Sequence, residues 1–261
     1  MPTINLETTE IYYEIHGRGE PMLLIHGLGS SSQDWEKQLP EFSSRFQVIN
    51  IDLRGHGRSS KTPGPYSIKL FAEDTAQLIK ALEYTSVYIV GISLGGMVAF
   101  QLALDCPDLV RSLVIVNSVP ELIAHNLKDR TDYWKRLLIV RLFGLEKMGK
   151  VLAERFFIEP EHEALRQVFV RRWAANHKPS YLASLKAVFG WSVLGRLGEI
   201  EAPTLVIGAE GDYFSNVEKE SYTRLMPNAE LIIIKDSRHA LPAEKPDEFN
   251  QAVLRFLLNL T

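Results

Sequence analysis

Cysteine is almost absent. Cys106 alone cannot form an internal disulfide, and its place late in an apolar helical stretch suits a buried, reduced thiol. Long hydrophobic runs are missing too: nothing approaches the roughly 18–20 apolar residues of a membrane-spanning helix. The N-terminal Met1-Pro2-Thr3-Ile4-Asn5-Leu6-Glu7 lacks the basic stretch and apolar core of a secretory leader. These absences point to a cytoplasmic protein with no membrane association. Positive charge is not in surplus, and a net charge of −3 leaves no electrostatic footprint for nucleic acid. No G-x-G-x-x-G follows a strand pattern, so no dinucleotide is implied. His16, His125, His162 and His177 show no paired spacing with Cys, Asp or Glu, so no metal is implied and no cofactor is expected.

What is present is a chain of 261 residues, 46% hydrophobic and 23% charged, able to bury a large core. The first 119 residues alternate between strand and helix patterns. Ile4–Glu7 and Ile11–His16 read as two short strands joined by a tight turn, and Met22–Ile25, Phe46–Ile51, Val87–Val90 and Leu113–Val116 as further strands. Trp35, Leu39 and Phe42 form a helical stripe; Ile68–Leu82 and the stretch from Ser93 to Asp105 read as helices. From Pro120 to about Arg196 Leu, Phe and Trp recur at helical spacing without a convincing strand. Alternation then resumes with Thr204–Ile207, Val217–Met226, Leu231–Ile234 and Asp247–Leu260. The pattern predicts one α/β core, residues 1–119 and 197–261, interrupted at 120–196 by a cap of about two to four helices.

Chemistry concentrates in Gly91-Ile92-Ser93-Leu94-Gly95, which follows the Val87–Val90 run and opens a helix. A G-x-S-x-G string in strand–turn–helix context lifts a serine hydroxyl out of a sharp turn as a nucleophile. A serine needs a base, and the base needs an orienting acid. His239 follows the last strand, at the sheet edge where open α/β folds place their ligands. Asp212, after Thr204–Ile207, is preferred as the acid over Glu210 and Asp236, because Gly211 permits the turn that aims its carboxylate inward. The amides of Leu94 and Leu28 are the candidate oxyanion donors, the latter from His26-Gly27-Leu28-Gly29. His26 reads as a buttress of that loop, and Trp35 is the candidate substrate-binding side chain.

Together with Asp52-Leu53-Arg54-Gly55-His56-Gly57-Arg58-Ser59, these segments resemble the α/β-hydrolase superfamily over nearly the whole chain outside the insertion. The resemblance implies an α/β-hydrolase fold: an eight-stranded, mostly parallel sheet with its second strand antiparallel, flanked by helices, with a helical cap inserted after the sixth strand. It matches Ser93 to the nucleophile, Asp212 to the acid, His239 to the base, and Leu28 and Leu94 to the oxyanion positions. It gives Arg54 and His56 structural roles. Arg238 departs from the glycine common before the histidine. A serine at the elbow disfavours the dehalogenases and epoxide hydrolases of the superfamily, which use aspartate there. What remains is acyl chemistry on an ester, thioester or lactone.

The elbow and Pro63-Gly64-Pro65-Tyr66 resemble two groups. One is the carboxylesterases, including those that cleave the methyl ester of pimeloyl-acyl carrier protein; the other is the 3-oxoadipate enol-lactonases. His26 favours the esterases. The expected function is a serine carboxylesterase acting on small esters; a ligand receptor of the same fold with little turnover is the non-enzymatic alternative. From Glu121 to Arg196 basic residues exceed acidic ones by six, while the rest of the chain carries −9. Such a cap either presents solvated cations or receives an anionic substrate or an acyl carrier protein, with Arg171, Arg172 and Lys178 in one group and Lys135, Arg136 and Arg141 in another.

Overall fold

A computed structural model describes residues 2–124 and 126–260, apart from the side chains of Lys128 and Asp129. Eight strands are laid down in the order that the apolar runs predict. They are β1 (Thr3–Asn5), β2 (Glu10–His16), β3 (Pro21–Ile25), β4 (Gln47–Ile51), β5 (Val87–Ile92), β6 (Val110–Val116), β7 (Thr204–Ala209) and β8 (Ala229–Ile234). They form one sheet of spatial order β1-β2-β4-β3-β5-β6-β7-β8. Only β2 runs against the rest, pairing antiparallel with both β1 and β4. From β4 to β8 every pairing is parallel, so the ends of β3, β5, β6, β7 and β8 open onto one edge.

Parallel strands covered on both faces bury every residue, so they read as continuous apolar runs. Successive residues still divide by pleat. Leu23, Ile25, Ile89, Leu113 and Ile115 pack on one face with Phe71, Val98 and Phe100. Met22, Leu24, Val90, Val114 and Leu205 pack on the other with Phe42, Phe249 and Val253. The helices are α1 (Leu39–Phe42), α2 (Ile68–Ala81), α3 (Leu94–Asp105), α4 (Leu127–Phe156), α5 (Glu163–Ala174), α6 (Lys178–Val188), α7 (Asn216–Thr223), α8 (Leu241–Glu244) and α9 (Pro246–Leu258). The first face is covered chiefly by α2 and α3, the second by α1 and α9.

Two expectations need correction. The Trp35–Leu39–Phe42 stripe is not one helix but a 3-10 turn, Ser32–Trp35, followed by the short α1. Pro40 lacks the amide that a continuous helix would direct at the carbonyl four residues earlier. Cys106, at the end of α3, packs against the first core but is half-buried rather than fully buried.

The segment between β6 and β7 is helical. α4 breaks at Gly144, whose φ of 80° and ψ of −179° separate two limbs. With α5 and α6 these limbs enclose a core of their own, including Leu137, Met148, Trp173, Tyr181 and Leu185. Leu28 and Ala240, from the loops after β3 and β8, pack against it, which seats the inserted helices over the open edge of the sheet. Among the described residues no helix is long and apolar enough to cross a membrane.

Candidate active site

Ser93 stands alone between β5 and α3 at φ 53° and ψ −114°. Holding a non-glycine residue there costs about 1–3 kcal/mol, and the surroundings must enforce it. They do so through close backbone approach. A Cβ on Gly95 would lie 2.1 Å from the Ile25 carbonyl oxygen, and one on Gly91 would lie 2.4 Å from that of Gly95. The Ser93 amide donates to the Val116 carbonyl at 2.9 Å, and the Ser118 hydroxyl donates to the Ser93 carbonyl at 2.7 Å. The serine is therefore fixed at the head of α3 by the strands on either side.

Beyond β7, Gly211 ties its amide to the Ser237 carbonyl at 2.9 Å, which brings the loops carrying Asp212 and His239 together. Asp212 Oδ1 accepts from His239 Nδ1 at 2.7 Å. That bond fixes the tautomer, leaving Nε2 as the acceptor facing the cleft. The competing carboxylates turn elsewhere: Glu210 accepts the Asp236 amide at 3.0 Å in an exposed contact.

Two supporting residues have no motif in the sequence. Asn117, at the end of β6, accepts the Ala209 amide at 2.8 Å and donates to the His239 carbonyl at 3.0 Å, clamping the ends of two loops. Lys219, on α7, donates to Asp212 Oδ2 at 2.7 Å, and both side chains are fully buried. Burial pushes the Asp212 carboxyl up, but His239 and Lys219 together outweigh it and hold the group below its ordinary range.

Tyr213 was not singled out by sequence either. Its hydroxyl lies 3.0 Å from His239 Nε2, which is an acceptor in this tautomer, so the phenol donates to it; the Ser93 side chain is near enough to act on the same oxygen. The structure thus joins Asp212 to His239 directly, while the Tyr213 phenol occupies the other ring nitrogen. Tyr213 is 47% exposed, but its oxygen sits among Ser93, His239 and Phe156, and this desolvation keeps the phenol well above its ordinary pKa. Tilted ring contacts from Tyr213 at 4.1 Å and Phe156 at 4.9 Å hold the imidazole in place.

The loop after β3 lies alongside. A Cβ on Gly27 would be 3.6 Å from the Ser93 Cβ, so this backbone borders Ser93. Among the described residues neither the Leu28 nor the Leu94 amide meets a protein acceptor, so both remain available as donors. His26 is wholly buried: Nδ1 donates to the Gly27 carbonyl at 2.8 Å and Nε2 accepts the Leu53 amide at 3.0 Å. This is a neutral strut between two loops, and burial accordingly lowers its pKa. Burial also drives His56 down, to about 3, and its Nδ1 donates to the Arg54 carbonyl at 2.9 Å. Arg54 makes a buried two-nitrogen contact with Asp74. None of these three side chains is placed against Ser93. Trp35 is wholly buried, with its ring 6.2 Å from that of Phe249. It also lines a cavity of about 60 Å3 with Ile92, Phe157, Phe169 and Ala240, where Ile92 and Ala240 adjoin Ser93 and His239. Among the described residues no cluster suits a metal ion; His125 lies outside them.

The inserted helices are anchored to the loop after β3. Asn176 donates to the Gly29 carbonyl at 2.8 Å, and the Trp173 ring leaves no room for a Cβ on Gly29. Arg172 reaches Glu36 at 2.7 Å and the Gln33 carbonyl at 3.1 Å. These contacts engage part of the basic groups that the sequence offers. Arg172 is engaged with the core, Lys178 with the Arg141 carbonyl at 2.8 Å, and Lys135 with Asp132 at 3.8 Å.

A family model described as the alpha/beta hydrolase fold matches residues 20–246. A putative carbamate hydrolase RutD of Azorhizobium caulinodans is 31% identical, over 98% of this chain and 98% of that one. The (E)-2-((N-methylformamido)methylene)succinate hydrolase of Acinetobacter baylyi is 28% identical, over 95% of this chain and 94% of its own length. The crystal structure of the enol-lactonase from Burkholderia xenovorans LB400 superposes with a TM-score of 0.91 at 22% identity, covering 98% of this chain and 100% of that one. With the strand order, the elbow serine and the helices seated over the sheet edge, these matches establish that the chain belongs to the α/β-hydrolase fold family.

Proposed function

We propose that this hydrolase-fold protein cleaves small carboxylic esters through an acyl-enzyme on Ser93. The observation that supports the reading is a strained, elbow-mounted serine at the same edge of the sheet as an imidazole already oriented by a buried carboxylate. Ser93 Oγ attacks the ester carbonyl carbon while His239 Nε2 takes its proton. The carbonyl oxygen becomes an oxyanion facing the Leu28 and Leu94 amides. The tetrahedral adduct collapses, and the alcohol leaves with the proton held on His239. Water then attacks the acyl carbon, gives a proton to Nε2, and the second collapse returns that proton to Ser93 as the acid departs. Asp212 stays ionised throughout.

Direct proton transfer requires the Tyr213 hydroxyl to withdraw from His239 Nε2 as substrate enters. That phenol on the ring nitrogen is also what favours the second reading, a ligand receptor of this fold with little turnover. Hydrolysis of p-nitrophenyl acetate and butyrate separates the two. The esterase reading expects turnover abolished in Ser93→Ala down to the residue that binding and oxyanion donors supply, and fluorophosphonate labelling confined to Ser93. Labelling of another serine, or undiminished hydrolysis by the alanine variant, refutes it.

A further inference from the structure

Arg136, on the inserted helices, is half-buried and has no acidic partner among the described residues. It lies on the first limb of α4. Its Nε donates to the Tyr181 hydroxyl at 2.7 Å, and its guanidinium carbon lies 5.8 Å from the ring centroids of both Trp173 and Tyr181. Its two terminal nitrogens meet no protein acceptor among the described residues. Two relations place it. Trp173 rests on Gly29 of the loop after β3, so the aromatic pair beside the arginine sits above that loop. The Arg136 charge also acts on the Tyr213 hydroxyl, which itself contacts His239. A guanidinium set to one side of two rings that pack 5.4 Å apart, with its outer edge unfilled, is half of a recognition site. An enclosed charge is costly unless it is paired, and the planar fork of arginine matches a carboxylate with two parallel hydrogen bonds.

We propose that Arg136 is a specificity residue whose ligand is a carboxylate carried by the substrate itself, a few atoms from the bond that is cleaved. This rests on the ester-hydrolase reading and narrows it: the substrates are half-esters, or acyl derivatives, of dicarboxylic acids. The neutral cap aromatics hold the guanidinium plane, and Tyr181 fixes its rotation through Nε, leaving the Nη edge for the incoming anion. Bound there, the carboxylate sets the position of the acyl chain, so that the scissile carbonyl meets Ser93 in one register. The same anion lies near enough to Tyr213 to compete for its hydroxyl, which gives a charged substrate a means of drawing that phenol off His239.

The test compares mono-p-nitrophenyl esters of succinic, glutaric and adipic acid with p-nitrophenyl butyrate. Wild type should prefer one of the half-esters, and Arg136→Gln should lower the half-ester to butyrate ratio of kcat/KM by roughly 10²-fold, the size of a lost buried charge-assisted contact. Arg171→Gln, which removes a cap charge elsewhere, should leave that ratio within about twofold, as screened surface charges do. A ratio that does not move in Arg136→Gln overturns the proposal, as does an equal loss on both substrate types. A second arm needs no turnover: calorimetric titration of Ser93→Ala protein with succinate, glutarate and adipate should show saturable binding, weakened at least tenfold by adding Arg136→Gln. Absence of dicarboxylate binding, or binding indifferent to Arg136, overturns the site even if esters are hydrolysed. If no ester is turned over but dicarboxylates bind through Arg136, the hydrolase reading fails and the anion site stands.

Discussion

Replacing Lys219 by methionine should move the acid limb of activity toward higher pH while lowering stability. The ammonium and the imidazole contact opposite oxygens of one carboxylate, each at 2.7 Å. His239 and Lys219 together hold the Asp212 carboxyl below its ordinary range against the opposing effect of burial, and at an effective dielectric of 20 an ion pair at about 4 Å is worth about 4 kcal/mol. Methionine fills the same buried volume without the charge, so Asp212 takes up a proton at a higher pH than in wild type and then no longer orients the imidazole. The acid limb of kcat/KM for p-nitrophenyl acetate should therefore shift up. Removing one partner of a fully buried pair also costs about 3–5 kcal/mol of folding stability, read from urea denaturation. The two readouts separate the roles. A variant that loses stability but keeps its acid limb in place would show Lys219 to be a structural brace only, and a limb displaced to lower pH would contradict the electrostatic argument outright.

The buried histidines predict acid sensitivity of the fold itself. His56 is neutral when folded, with a pKa of about 3, and would protonate near 6.5 when unfolded, so its contribution is complete above about pH 6.5 and erodes as pH falls toward 3. Each such group adds up to about 1.4 kcal/mol per pH unit to the slope; urea midpoints at several pH values should fall less steeply in His56→Asn, and an unchanged slope would refute the assignment. Tyr213→Phe should label with fluorophosphonate at least as fast as wild type, because the hydroxyl that occupies His239 Nε2 is gone. A fall of about 10²-fold or more, the size of a lost proton-transfer step, would instead make the phenol a participant in the chemistry.

Much of this site was legible in the chain because its chemistry is local or periodic. The elbow is five consecutive residues, and its glycines follow from backbone atoms only a few positions away. Asp212 and His239 could be placed because both follow apolar runs, and parallel strands all end on one edge. What escaped depends on tertiary company. Lys219 lies in Asn216-Val217-Glu218-Lys219-Glu220, which has the composition of a solvated helix, yet its side chain is fully buried beneath Asp212. Its spacing of seven residues after the acid, on the first turn of the next helix, was the available signal. Asn117 and Tyr213 take their roles from which loops their strands bring together. The cap cations could be counted but not sorted. Only packing distinguishes Arg172, tied to Glu36, from Arg136, turned inward toward aromatic rings.

The anchorage of the cap has a thermodynamic consequence. Asn176 and Trp173 hold the stretch at Gly29 that immediately follows the proposed oxyanion donor Leu28, while Arg172 holds the next turn at Gln33 and Glu36. The cap therefore cannot lift at this edge as an independent lid: it must break these bonds or carry the donor loop with it. Occupancy beneath the cap and the position of the Leu28 amide are then linked quantities, and linkage is reciprocal. A ligand that favours the seated cap favours the set donor by the same free energy, and an oxyanion held by that donor tightens the cap in return. Recognition at the roof and stabilisation at the reacting carbonyl become two readings of one equilibrium.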